Sequence, residues 1–210
     1  MGKLTITRIE IENNLLKVYY KVDEELRPYF SFEKEYFWAE YSVSIEEVPE
    51  SIAVIPFITN VLPIIWITDS LLEVPELDQT FYHSIPNFKQ GYIDMSPMLS
   101  FKGEIKVEKL IDNTYQATGG NAAFFSGGVD AFTTLIAHIE EKPTLITLFG
   151  SDVKLNDSTG IQNVYNHVKK TVNDFQLPPA QYIKTNFRSF INESKLSELV
   201  IASKDGWWHG

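Results

Sequence analysis

Residues 126–130, with the sequence SGGVD, combine the residue types that hold phosphate groups in proteins. Gly127 and Gly128 let the backbone turn tightly and leave room for a ligand, because glycine carries no side chain. The hydroxyl of Ser126 can donate a hydrogen bond to a phosphate oxygen. This segment therefore predicts a turn that binds phosphate, and the alternative is a structural turn that only links two elements.

A helix is predicted to begin where the glycines end. Apolar residues recur at steps of three and four over residues 129–139, which is helical spacing, and Phe124 and Phe125 before the turn predict a strand. The start of a helix presents unpaired N–H groups and the positive end of the helix dipole. Because such a helix start attracts phosphate, the strand, the turn and the helix together predict a phosphate site.

Asp130 is an acidic residue in the first turn of this predicted helix. A carboxylate repels phosphate unless a divalent cation lies between them, so Asp130 predicts Mg²⁺ held by carboxylate and phosphate oxygens. Its alternative role is an N-terminal cap of the helix. Two better-known phosphate loops do not fit the segment, because one ends in Gly-Lys-Ser/Thr and the other has three spaced glycines.

The segment resembles the SGGxDS signature of the PP-loop ATP pyrophosphatase superfamily at Ser126, Gly127, Gly128 and Asp130. Members of that family cleave ATP between its α and β phosphates and adenylate a substrate, so the resemblance implies ATP and Mg²⁺ as ligands. Ala131 stands where the family usually has Ser or Thr, which removes one phosphate-binding hydroxyl. The resemblance implies an ATP-dependent adenylating enzyme, and its alternative is a nucleotide-binding or assembly module that has lost catalysis.

Two further segments, residues 185–188 and 208–210, look like parts of PP-loop proteins similar to 7-cyano-7-deazaguanine synthase, some of which belong to bacterial anti-phage systems. The resemblance covers roughly residues 122–210. No residue is an evident general base; His209 is either close to the site, at the start of a further helix, or without a chemical role. The nucleotide-binding residues that we expect, with Asp130 also binding the metal, are Ser126, Gly127, Gly128, Val129, Asp130, Asn186 and Arg188.

The composition indicates which classes of ligand the protein binds and where in the cell it is expected. The 210 residues carry a formal net charge of -10 without a basic run, so we expect ATP and a small-molecule substrate as partners rather than nucleic acid. There are no cysteines, which excludes disulfides, thiolate metal sites and Cys nucleophiles. The longest apolar run, residues 52–67, contains Pro56 and Pro63 and is shorter than a membrane span. We expect a soluble, cytoplasmic protein.

The first part of the chain, residues 1–118, is predicted to be an α+β domain that begins with a β-hairpin. The elements predicted in it are a hairpin over 4–20, a strand over 36–41, a buried pair of strands or helices over 49–66, a strand over 71–74, a helix capped by Asp78 that Pro86 kinks or divides, and strands over 101–110 and 114–118.

The second part, residues 119–210, is predicted to be an α/β domain with a partial, three-stranded, doubly wound parallel sheet of the PP-loop or HUP-like type. Its second strand, residues 144–149, is almost wholly apolar and is expected to be buried on both faces. Ser158 is predicted to cap the helix before the third strand, residues 181–185. Ligands of such sheets bind at the carboxyl ends of the strands, where Lys154 and Arg188 can neutralise phosphate charge.

A PP-loop domain normally has five parallel strands, with the first in the middle, and this chain supplies three. We therefore expect either a fragment of a longer protein or a domain that has been cut down. An open sheet edge favours association, so we also expect a second copy, another partner chain or the first domain to cover that edge.

Overall fold

The computed structural model describes residues 1–31, 36–114 and 119–199. The described strands are β1 (Lys3–Glu12), β2 (Leu15–Val22), β3 (Tyr36–Tyr41), β4 (Leu71–Asp78), β5 (Glu104–Ile111), β6 (Ala122–Phe124), β7 (Thr144–Phe149) and β8 (Gln181–Thr185). The described α-helices are α1 (Glu50–Ala53), α2 (Ile55–Ile67), α3 (Gln79–Met95), α4 (Val129–Ala137), α5 (Ser158–Phe175) and α6 (Glu193–Ser197).

The strands form one mixed eight-stranded sheet in the order β5-β4-β1-β2-β3-β8-β7-β6. Strands β6, β7 and β8 are parallel neighbours, and α4 and α5 connect them in the predicted β-α-β-α-β order. The predicted α/β class is therefore confirmed. None of the helices in the described ranges is long and apolar enough to cross a membrane.

The first part of the chain contains the predicted hairpin and a helix pair. Strands β1 and β2 are antiparallel and turn at Asn13, which has a φ of 54°. The apolar segment predicted as a pair of strands or helices is the pair α1 and α2. Pro86 was predicted to kink or divide α3; the helix runs through it without a break, so the division is wrong and the kink stays a prediction. Pro86 is exposed, where solvent can satisfy a backbone carbonyl that the proline leaves without a partner.

Strands from both parts of the chain meet in the centre of the sheet. Strand β3 pairs with β8 in an antiparallel arrangement, with Ala39 opposite Thr185 and Tyr41 opposite Ile183. The boundary predicted after residue 118 falls between β5 and β6, and both sides of it belong to the same sheet. The first part joins at β8, so the expectation that it covers the open edge is wrong: that edge is β6, at the other side of the parallel strands.

Two hydrophobic cores lie on opposite faces of this sheet. Neighbouring residues of a strand point to opposite faces, and in β8 Ile183 packs against the first core whereas Tyr182 packs against the second. The first core includes α2 and α3, and the buried residues of the second, which involve α4 and α5, are Phe125, Leu135, Leu145, Val168 and Leu177.

The prediction that β7 is buried on both faces is wrong. Leu145, Thr147 and Phe149 are buried, whereas Ile146 and Leu148 on the other face are only partly buried. The reason is that both crossover helices, α4 and α5, pack into the same core. One face of β7 is therefore covered by helices, and its alternate residues keep part of their surface in solvent. The predicted doubly wound arrangement is wrong for β6, β7 and β8, because both described crossover helices lie on the same face of these strands.

The caps of two helices can be compared with their predictions. The side chain of Asp78 accepts a hydrogen bond from the Phe81 N–H at 2.7 Å, which confirms the predicted cap of α3. The cap of α5 is Asp157, whose Oδ1 accepts from the Gly160 N–H at 2.9 Å, so the prediction of Ser158 is wrong by one residue. Of the strand predicted over residues 114–118, all but Thr114 lies outside the described residues, as do residues 208–210.

Candidate functional site

The predicted strand, turn and helix are present around the two glycines. Strand β6 ends at Phe124, and α4 begins at Val129 directly after Gly128, its N-cap residue. No side chain caps α4, and Asp130 therefore does not fill the alternative role of cap. The Gly128 N–H donates to Ser126 Oγ at 3.4 Å, a long bond that a ligand oxygen can replace. The helix start is thus available to an anion.

The two glycines of the turn serve different purposes. Gly127 has a φ of +82°, a conformation that side chains rarely adopt, and a Cβ there would lie 2.8 Å from Cδ2 of His167. Gly128 has an ordinary extended backbone, with φ -79° and ψ 173°, and the nearest atom to a Cβ there is Ser126 Oγ at 3.5 Å. The fold requires the first glycine, whereas the second leaves open space over the turn.

Val129 and Asp130 both face solvent at the start of α4. Val129 is 82% exposed, and the polar group that it offers to a nucleotide is its backbone N–H at the start of α4. Asp130 is also exposed. No group of three or more His, Cys, Asp or Glu side chains suited to a metal occurs in the described ranges. A Mg²⁺ ion at Asp130 would therefore take its other ligands from phosphate and water, which is the usual arrangement for this ion.

A cleft of about 960 Å³ opens at the carboxyl ends of β7 and β8. As predicted, the loops that follow these two strands come together there, although residues 126–130 do not line the cleft. The residue types that dominate its wall are hydroxyls, amides and paired charges. The polar residues that line it are Ser31, Ser151, Asp152, Lys154, Asn156, Thr185, Arg188, Ser189, Asn192, Glu193 and Ser194.

The charges in the cleft are balanced. The Nε of Arg188 donates to Glu193 Oε1 at 2.7 Å, and its Nη1 lies 3.8 Å from Asp152 Oδ1. Lys154 is the second cation of the wall, and it has no ion pair in the described part of the chain. Arg188 is therefore held by carboxylates, whereas the Lys154 side chain has no carboxylate partner among the described residues and can contact a ligand.

Asn186 has a structural position rather than one facing the cleft. Its side chain is 6% exposed, its Oδ1 accepts from the Trp38 N–H at 2.8 Å, and its Nδ2 donates to the Tyr36 carbonyl at 3.0 Å. Both polar atoms of the amide are thus used by β3. A nucleotide contact of this amide would have to replace a hydrogen bond that joins the two parts of the sheet.

Sequence reasoning missed two features of this region. His167 of α5 lies against Gly127, across a separation of 40 residues that no local pattern reveals. Ser31, from the first part of the chain, lines the cleft because its N–H donates to the Phe190 carbonyl at 2.8 Å. Comparisons of the chain with protein-family models, with curated proteins and with solved structures found no match.

Proposed function

We propose that this chain binds Mg²⁺-ATP over Gly127 and Gly128 and acts in the cytoplasm as an adenylating enzyme of the PP-loop type. The observation that carries the proposal is the uncapped start of α4 directly after a glycine turn, at the carboxyl end of a parallel strand. Backbone N–H groups at such a helix start stabilise phosphate charge. The cleft at the carboxyl ends of β7 and β8, the strands that follow β6 in the sheet, would take the second substrate.

The residues divide the chemical work in this proposal. The N–H groups of Gly128 and Val129 and the Ser126 hydroxyl would hold the phosphates, and the Asp130 carboxylate would hold the metal, which supplies positive charge when bound. An oxygen of the second substrate would attack the α phosphorus, and pyrophosphate would leave. A carboxylate substrate is the first class to test, because adenylation turns it into a group that an amine can attack.

A nucleotide-binding module without catalysis is the second candidate. Ala131 carries a methyl group and no hydroxyl, and it packs against the second core. Such a module would bind ATP or AMP without releasing pyrophosphate. A pyrophosphate-release assay with ATP and a panel of small carboxylates therefore separates the two candidates once binding has been measured.

We also propose that a second copy or another partner chain covers the β6 edge. Three apolar side chains at and near this edge are strongly exposed: Phe124 at 70%, Val129 at 82% and Ile136 at 59%. An open strand edge beside exposed apolar residues favours association. Ultracentrifugation of the wild-type chain and of Phe124→Glu should show a larger assembly that the substitution dissociates, and a wild-type monomer would exclude a homo-oligomer at this edge.

Calorimetric titration with ATP and Mg²⁺ tests the nucleotide site. Gly128→Val is the informative variant, since the backbone at Gly128 is ordinary and the space around it is open, so the added methyl groups should fill the phosphate site without disturbing the fold. Gly91→Val in α3 is the matched control, because a Cβ there meets no atom within 4 Å, and at Gly128 it meets only Ser126 Oγ, at an ordinary contact distance of 3.5 Å. We expect Gly128→Val to abolish binding and Gly91→Val to preserve it.

The role of Asp130 is tested in the same titration. Asp130→Asn should weaken Mg²⁺-ATP binding and leave the melting temperature unchanged, because the side chain is exposed and does not cap α4. Equal affinities of wild type and Asp130→Asn would refute the metal role. No binding of ATP by the wild type, or equal binding by Gly128→Val, would refute the nucleotide site itself.

A further inference from the structure

His167 is the side chain that a Cβ added to Gly127 would meet. The added Cβ would lie 2.8 Å from Cδ2 and 3.0 Å from Nε2 of the imidazole. The Cδ2–Nε2 edge of the ring therefore faces the glycine turn. The residue belongs to α5, the helix that connects β7 and β8. The turn thus has a wall supplied by the neighbouring crossover helix.

The orientation of this ring is fixed by two aromatic neighbours. The imidazole stacks on Phe125, with an interplanar angle of 14° and 6.3 Å between centroids. It lies at 74° to the ring of Phe132, with 5.8 Å between centroids. Phe125 is 2% exposed and belongs to the second core, so it forms a rigid base for the ring. An oriented ring loses little conformational entropy when it contacts a ligand.

The polar atoms of this ring are available to a ligand. His167 is exposed, and neither ring nitrogen has a hydrogen-bond partner or an ion pair within the described ranges. An imidazole can donate from Nε2 in one neutral tautomer and from both nitrogens when protonated. A ring held only by packing needs no such donor, and a phenylalanine at the same place would make the same aromatic contacts.

We propose that His167 contacts the phosphates directly, with its Nε2–H donating a hydrogen bond to an oxygen of the nucleotide bound over the turn. This inference rests on the proposed function, because it takes a phosphate group at Gly127 and Gly128 as given. The donor joins the backbone N–H groups of the α4 start and comes from a different helix. The phosphate site then depends on how α5 packs against α4.

Two substitutions separate the hydrogen bond from the packing. His167→Phe keeps the contacts with Phe125 and Phe132 but has no donor, whereas His167→Gln keeps an N–H donor and loses the ring. His83→Phe is the matched control, because His83 is also exposed and also lies edge-on to an aromatic ring, that of Tyr82 at 5.7 Å. All three are titrated with Mg²⁺-ATP beside the wild type, and their melting temperatures are recorded.

Loss of a hydrogen bond to a charged group should weaken ATP binding by at least about tenfold in His167→Phe. We expect His167→Gln to bind within about threefold of the wild type, and His83→Phe to bind like the wild type. Should His167→Phe fail to fold, wild-type-like affinity of His167→Gln would support the donor role and weakened affinity would overturn it.

Equal affinities of the wild type and His167→Phe would overturn this inference and leave the nucleotide site standing. A similar loss in both variants, at unchanged melting temperature, would show that the ring shape matters and not its N–H, which also overturns it. A wild-type chain that binds no ATP would overturn the proposed function together with this inference.

Discussion

Replacement of Asn186 by alanine tests whether this residue serves the fold or the nucleotide. The amide is buried and connects the end of β8 to the backbone of β3 through two hydrogen bonds, at 2.8 and 3.0 Å. The regular pairing between β3 and β8 covers three residue pairs, and the two amide bonds extend this short ladder beyond the end of β8. We expect Asn186→Ala to destabilise the protein and to leave ATP affinity unchanged.

The expected loss follows from the two bonds. A typical intramolecular hydrogen bond contributes about 1 kcal/mol, and a buried group that loses its partner costs about 1–3 kcal/mol. Asn186→Ala should therefore lower the free energy of unfolding by about 2–4 kcal/mol. In a chain of this size each kcal/mol shifts the melting temperature by roughly 2–4 °C, so a decrease of about 5–15 °C is expected.

Asn192→Ala provides the matched comparison. Asn192 also makes two amide hydrogen bonds, to the Lys195 N–H at 3.2 Å and to the Pro28 carbonyl at 3.1 Å, but its side chain is exposed. Water can replace those bonds, so the loss should be about 1 kcal/mol. Urea unfolding measures the free energy of unfolding of both variants, and calorimetric titration below the melting temperature measures their affinity for ATP. Equal losses of stability, or weaker ATP binding by Asn186→Ala without lost stability, would refute the structural role.

Three further predictions concern stability. Gly127→Ala should lower the free energy of unfolding by about 1–2 kcal/mol in urea, because φ is +82° and a Cβ would lie 2.8 Å from the His167 ring; unchanged stability would refute this. Asp157→Ala should lower the free energy of unfolding by about 1 kcal/mol, because Asp157 is the cap of α5. Ser158→Ala should lower it by less than about 0.5 kcal/mol. The reverse order of the two losses would contradict the assignment of the cap. Burial raises the pKa of the Tyr92 hydroxyl from 10.0 to about 12 in the folded chain. Between pH 10 and 12 the folded chain therefore keeps a proton that the unfolded chain loses, so the free energy of unfolding falls as pH rises through this range. Between pH 9 and 11, Tyr92→Phe should lose less free energy of unfolding than the wild type, as measured by denaturation at each pH. An equal loss in the two proteins would contradict this assignment.

Local patterns predicted most of the elements that carry the candidate site. Alternation over residues 4–20 indicated the hairpin, and the change from a glycine turn to helical spacing placed the start of α4 at Val129. These signals are strong because the side-chain period and the backbone conformation are properties of neighbouring residues. The glycine turn between β6 and α4 was predicted from neighbouring residues in the same way, and its phosphate-binding role stays a prediction.

Contacts between distant segments could not be predicted from such patterns. The alternation of apolar and polar residues in β3 indicates that one face of the strand is buried. It does not indicate that the strand pairs with β8, about 140 residues later in the chain. The strand before α3 was predicted over residues 71–74, yet β4 continues through Pro75 to Asp78. Its pairing with β1 stops at Glu73, so Pro75 lies where one side of the strand has no partner strand within the described sheet.

The junction between β3 and β8 makes the first part of the chain a component of the candidate site. Phe190, Ile191 and Leu196, which follow β8, are buried in the first core, and Phe30 forms a bridge with Ile191. Removal of the first part would expose these side chains and withdraw Ser31 from the wall of the cleft. The segment that carries Arg188 keeps its position only while β3 is present. A substrate bound in this cleft would therefore contact both parts of the chain, so its selection and the stability of the sheet depend on the same junction.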